Sequence, residues 1–242
     1  MTPLSTPRDV LVLRQGGSML VSAVDSCGGI GPLPQDALWA DPQTVGELTA
    51  RTALLELLCT GAAPLFASVA ACNAPEAARP LLEGVRATLG GSLPLIISTE
   101  KNLPTCMTAL GVTLTGACPA GRLRIGSARP GDTLWCVGLP LVGGEVLQHR
   151  AMLPTAEQVG LLLAAPGVHA ALPVGSRGVG AEARTLAAES GLTAQLFENP
   201  PFDPGRSAGP SSCVVVAADP QARLPELGLP VHAVGRLVQP QE

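Results

Sequence analysis

Asp25, Glu56 and Glu100 are the residues best placed for chemistry. Asp25 closes the apolar run VSAV and is followed at once by Ser26, Cys27, Gly28, Gly29 and, one residue on, Gly31. Glu56 lies in LLELLCTGAAP and Glu100 in STEKNLPT. Carboxylates brought together from separate elements offer the hard oxygen ligands that Mg²⁺ takes. A glycine run beside them leaves backbone N–H groups open to phosphate oxygens. Together they suit phosphoryl transfer from ATP, with Asp25, Glu56 and Glu100 on the metal. Each also has a plain structural role: Asp25 as a turn residue, Glu56 as a solvated helix residue, Glu100 as a loop acid beside Lys101, and the glycines as a tight turn. Cys27 is the one thiol whose place in the glycine loop suggests reactivity.

The elements that must position these residues follow from local signals. Residues 9–14 and 18–24 read as strands joined at Gly16-Gly17, a hairpin. Asp41-Pro42 opens a helix as N-cap and first-turn proline. Val45, Leu48, Thr52, Leu55 and Cys59 share one face of it, and Gly61 ends it. Residues 64–72 read as a buried strand and 75–89 as a helix that Pro80 should limit or kink. Residues 93–98 and 107–116 read as strands. After the irregular stretch 117–132 a second series begins, with strands at TLWCVGL, VHAALPV, TAQLF, CVVVAA and PVHAVGRLV. Thr155 and Gln158 form a capping box for a helix through about Ala164, and GVGAEARTLAAES reads as another helix, stopped by Gly191. Residues 199–212 form a long aperiodic loop, of the kind that is often functional. The expected fold class is α+β, in two parts divided near residue 120. A single Rossmann fold fits less well, because CGGIGP lacks the dinucleotide fingerprint and leads into a proline-rich connection.

Composition narrows the function. The chain has 242 residues and a formal charge of −4, with 15 basic residues and no Tyr. Nucleic-acid surfaces need basic clusters and stacking rings, and both are missing. No segment approaches the roughly 18 continuous apolar residues of a membrane span. Residues 1–9 are polar and proline-broken, unlike a secretory leader, so a cytoplasmic location is expected. Seven scattered cysteines without a CxxC pair argue against a zinc site or a disulfide framework. Trp39 and Trp135 are expected to pack. Of the histidines, His149 and His232 read as surface or packing residues, and His169, just before PVGSRGVG, as the one with a candidate catalytic role.

SAVDSCGGIG, TARTALLELLCTGAAPLFASVA, STEKNLPTCMTALGVTLTG, ARPGDTLWCVGLP and PVGSRGVGAEARTLAAESG occur in an order that resembles the PurM-like superfamily of ATP-dependent enzymes. Within it the chain looks most like the AIR synthase-related branch that includes α-ribazole kinase. The resemblance spans about residues 9–238. It implies a two-domain fold: an N-terminal ATP-binding domain, residues 1–120, whose sheet forms a dimer-spanning barrel, and a C-terminal α/β domain, residues 121–242, closing over it. It implies Mg²⁺–ATP as cofactor and a homodimer as the working form. It places metal ligands at Asp25, Glu56 and Glu100, and nucleotide contacts at Ser26, Cys27, Gly28, Gly29, Gly31, Asn102 and Thr105. It sets Gly175, Ser176, Arg177 and Gly178 against the acceptor. The sequence departs from the superfamily pattern where Glu56 replaces the usual Asn-Asp pair before GAAP and where Ser98-Thr99 replace the glycines before the third acid. The activity implied is a kinase acting on a small-metabolite hydroxyl, with α-ribazole as the branch's acceptor. The alternatives are an ATP-dependent amide- or carboxyl-activating ligase and a non-catalytic nucleotide-binding homologue.

Overall fold

A computed structural model describes residues 2–4, 6 and 8–240. Among them are two sheets and five α-helices. The first sheet comprises β1 (Thr2–Leu4), β2 (Val10–Gln15), β3 (Ser18–Gly28), β4 (Ala63–Ala71), β5 (Leu95–Thr99) and β6 (Ala109–Pro119), in the order β1-β2-β3-β6-β4-β5. It is antiparallel except for β4 and β5. That parallel pair needs a crossover, which α2 (Pro75–Leu89) supplies. α1 (Pro42–Cys59) joins β3 to β4. The second sheet contains β7 (Thr133–Gly138), β8 (Val168–Pro173), β9 (Thr193–Leu196), β10 (Cys213–Ala218) and β11 (Val231–Val238), antiparallel in the order β8-β10-β7-β11-β9. With it go α3 (Gly144–Gln148), α4 (Ala156–Ala164) and α5 (Gly178–Glu189).

α1 is the axis of the molecule. The side chain of its N-cap, Asp41, accepts from the Thr44 N–H at 3.0 Å, and Gly61 follows it with φ +86°. Ala50, Ala53, Leu54 and Leu57 enter the core of the first sheet. Leu55 and Cys59 enter a core shared with Val137, Val214 and Val216 of the second. The helix is therefore buried on several sides, its polar residues Thr44, Thr49, Arg51 and Thr52 included. It also meets α2 at backbone contact: a Cβ on Gly46 would lie 1.9 Å from the Leu81 carbonyl oxygen, and one on Gly84 would lie 2.0 Å from that of Gln43.

Strand alternation gives each sheet its faces. In the first, Val12, Val21, Ala23, Val69, Val112 and Leu114 point to the helices, whereas Leu11, Val24 and Ile96 are exposed on the other face. β10 is buried at every residue, because both of its faces are covered. Several polar ties join the halves, among them two arginines. Arg8 Nε and Nη2 donate to the two Glu189 carboxylate oxygens at 2.6 and 2.5 Å, with both side chains about fully enclosed. Arg124 donates to the carbonyls of Leu163, Val168 and His169.

Some expectations change. Pro80 does not end α2, which runs from Pro75 to Leu89 with Ala78, Leu81 and Val85 buried; the packing outweighs one missing N–H. β1 and the short α3 carry no strong sequence signal and were not anticipated. The first sheet is open, and no closed barrel is formed among the described residues of the single chain. Trp39, expected to pack, is 71% exposed. No helix among the described residues is long and apolar enough to cross a membrane.

Candidate active site

A cavity of about 520 Å³ opens where β3, α1, residues 142–147, Gly175-Ser176 and Gly209–Ser211 meet. α1 gives it one stripe, Val45, Leu48, Thr49, Thr52 and Glu56, at helical spacing. From Val45 to Glu56 the stripe runs about 16 Å. Its far end is apolar, with Ile30, Leu38, Val146 and Leu147 opposite. Its near end is acidic, with Asp9, Asp25 and Glu56.

β3 continues past the expected end at Val24, through Gly28, paired with β6. Asp25 thus extends the inward row Met19, Val21, Ala23 and faces α1. Burial pushes its carboxyl up to about 6, against the Ser26 N–H, which donates to it, and the positive charge of Arg51. Glu56 is more extreme. Its Oε2 is sealed from solvent with no hydrogen-bond partner. Burial raises its carboxyl to about 8, Arg8 opposes the shift, and Glu182, Asp9 and Asp25 add to it. Glu56 is therefore no solvated helix residue.

β2 pairs with β3 only as far as Val10↔Ala23, so the last residues of β3 keep one edge open. The N–H and C=O of Ala109, opposite Gly28, bond to the Asn73 carboxamide oxygen and the Cys72 N–H. In an antiparallel ladder the backbone groups of Gly28 then point the other way, to the open edge. Gly29 and Gly31 do not line the cavity. Their N–H groups donate to Thr108 and Leu38 carbonyls, at 2.9 and 3.0 Å. Gly29 has φ +73°, and a Cβ on Gly31 would lie 2.2 Å from Thr108 Oγ1. The run is thus divided. Ser26, Cys27 and Gly28 face the cavity, and Gly29 and Gly31 make the turn behind it, tied by Asp36 to the N–H groups of Leu33 and Thr108. Burial, with Asp25 and Asp36, pushes the Cys27 thiol up to about 11, so it is held protonated rather than reactive.

The other expected residues separate. Gly175 and Ser176 line the cavity. Arg177 does not; it pairs with Glu182 at 3.4 Å, beside Gly178, where α5 begins. Glu100 lies outside on an exposed loop and accepts from Asn102 and Leu103 N–H groups, which lower its carboxyl. Thr105 accepts from the Asn73 amide at 2.9 Å, at the outer end of β4. His169 is also outside; its Nδ1 sits 2.9 Å from the Asp132 carboxylate. Sequence reasoning missed Thr44, Thr49, residues 142–147 and Gly209–Ser211. The Gly143-Gly144 pair and the long aperiodic loop were the available signals for the last two.

Among the described residues no three metal-ligating side chains are preassembled. The donors present nevertheless fit Mg²⁺, which usually takes one or two carboxylates together with substrate phosphates. Asp25, partly buried, and Glu56 Oε2, sealed without a partner, are such donors.

No family model matches the sequence, and no curated protein does. Solved structures do match. AaThiL complexed with AMPPCP and TMP aligns at TM-score 0.67 and 16% identity, over 96% of this chain and 85% of that one. Thiamine-monophosphate kinase from Stenotrophomonas maltophilia K279a aligns at TM-score 0.64 and 19% identity, over 99% and 89%. A HypE–HypF complex aligns at 0.64 and 14%, over 95% and 87%. All are built on one architecture. The chain has the PurM-like fold. Within that fold the cavity has α1 as its floor and the stretches 142–147, 175–176 and 209–211 along its rim.

Proposed function

We propose that the protein is a Mg²⁺- and ATP-dependent kinase of a small metabolite, working in the cavity along α1. The observation that carries this reading is the pair Asp25 and Glu56, two desolvated carboxylates beside the open edge of β3. Burial disfavours their charged forms, and a divalent cation would restore them. Asp25 and Glu56 would hold Mg²⁺, which would neutralise the phosphate chain, while the Gly28 N–H would meet a phosphate oxygen. The chemistry is otherwise a matter of positioning. The kinases with this fold that were solved with an ATP analogue or named for their phosphorylation of thiamine monophosphate support the reaction class.

For the acceptor, the apolar end of the cavity favours a ring with few polar edge groups, because the Thr49 and Thr52 hydroxyls donate to their own helix. α-Ribazole, a benzimidazole nucleoside, has that character. Gly175 and Ser176, which lie beside Glu182 towards the acidic end, would meet its ribose rather than its ring. A screen for ADP release across nucleosides and vitamin precursors tests the proposal. Release with a hydroxyl acceptor, lost in Asp25→Asn, supports it. Release only with ammonia or an amine would make the protein a ligase instead. Nucleotide binding without turnover would leave a binding protein, a reading favoured by the position of Glu100 outside the cavity.

We further propose a homodimer through the bare face of the first sheet. Leu11, Val24 and Ile96 are 52, 56 and 67% exposed there, and a second copy would cover them and close the barrel that one chain leaves open. Light scattering that gave a monomer at micromolar concentration would refute this.

A further inference from the structure

Arg51 occupies the middle of α1 and is buried. Its guanidinium crosses to the other half of the chain. Nη1 donates to the Pro154 carbonyl at 2.6 Å, and Nη2 donates to the carbonyls of Pro210 and Ser211 at 2.5 and 3.2 Å. Its Nε is buried without a partner, and it lies close enough to Asp25 for their charges to interact. The residues that it grips, Pro210 and Ser211, line the cavity.

Ser211 is unusual in itself. It is the one non-glycine residue with positive φ, +48°, among the described residues. Such a conformation is costly for a residue with a Cβ and persists only where its surroundings hold it. Ser212 supplies the second hold: its hydroxyl accepts from the Leu141 N–H and has its one proton within reach of the Leu141 and Ala208 carbonyls. The Ser211 hydroxyl makes no hydrogen bond among the described residues, yet it is not among the side-chain atoms sealed from solvent without a partner. Ser211 is 2% exposed and lines the cavity, so its hydroxyl is a donor at the cavity wall that no protein group claims among the described residues.

We infer that Ser211 is a phosphate-contacting residue of the cavity, and that Arg51 is the positioning residue that holds its strained turn opposite Asp25. The inference rests on the kinase reading and adds a wall to it. The turn comes from the half of the chain that carries neither Asp25 nor Glu56. A hydroxyl donor there would meet a phosphoryl oxygen from the side away from the carboxylates.

The test is calorimetric titration with Mg–AMPPCP, alongside thermal unfolding. Ser211→Gly removes the hydroxyl and relieves the φ, so Tm should hold or rise while affinity for Mg–AMPPCP falls about ten- to a hundredfold, the loss of one hydrogen bond to a charged group. Arg51→Met should weaken binding similarly, and the double variant should lose little more, because the two act as one unit. A merely structural turn would give a stable Ser211→Gly protein that binds like wild type, and that result would overturn the inference while leaving the kinase reading intact. Wild-type protein that failed to bind Mg–AMPPCP would overturn both.

Discussion

Glu56→Gln should make the protein more stable and less functional at once. The carboxyl is raised from 4.5 to about 8, chiefly by burial. The folded state therefore binds a proton that the unfolded state releases above pH 4.5. Stability is unaffected below that value and falls as pH climbs towards 8, after which the loss is complete. At about 1.4 kcal/mol per pH unit, the charge costs about 3 kcal/mol at pH 7. Glutamine has the same shape and no charge to desolvate. Urea unfolding should then show the variant about 4 kcal/mol more stable than wild type at pH 8, and within about 1 kcal/mol of it at pH 5. For a chain of this size the gain at pH 8 corresponds to about 8–16 °C in Tm. Asp25, itself raised to about 6, is present in both proteins and largely cancels in the difference. The same variant should lose Mg–ATP affinity in calorimetry. A stability difference that is the same at pH 5 and pH 8 would show that Glu56 is not a desolvated acid, and the metal assignment would fall with it.

Arg8→Gln strands Glu189 in a site that excludes water, and should cost about 3–5 kcal/mol by urea unfolding; a loss under 1 kcal/mol would mean that the pair is dispensable. Gly31→Ala forces a Cβ to 2.2 Å from Thr108 Oγ1, so a lower Tm is expected, and an unchanged one would show that the turn can shift. Iodoacetamide at pH 8 should label the exposed Cys72 and Cys106 well before Cys27, whose thiol is held protonated; peptide mapping with Cys27 labelled first would contradict its burial.

Local signals in the sequence were sufficient for much of the fold. Asp41 and Thr155 cap helices as their side-chain chemistry requires, and the apolar run CVVVAA is a strand covered on both faces. The site was harder to read, because its properties depend on what lies across from each residue. The row Met19, Val21, Ala23, Asp25 contains the information that Asp25 points inward, but only if the strand is carried through the glycine at position 28. Which glycine N–H groups remain open depends on the register with β6 and on the early end of the β2 pairing, neither of which is local. Glu100 was placed beside Asp25 on the strength of its strand-end position, whereas its own loop takes up its carboxylate. Arg51 and Ser211 lie 160 positions apart; nothing in the spacing of either suggests the other.

A helix with side chains in two cores and along one cavity leaves the chain no internal seam. If the protein were cut between β6 and β7, the later fragment would lack Leu55 and Cys59, and its sheet would carry a wet apolar groove where α1 had been. The earlier fragment would expose those same residues. Neither piece could be complete alone, but each would be a template for the other. Mixed fragments should recover the fold by complementation, and a nucleotide that spans the junction would drive their reassembly. The two halves are thus better regarded as a single cooperative body wrapped on one rod than as a lid hinged to a base.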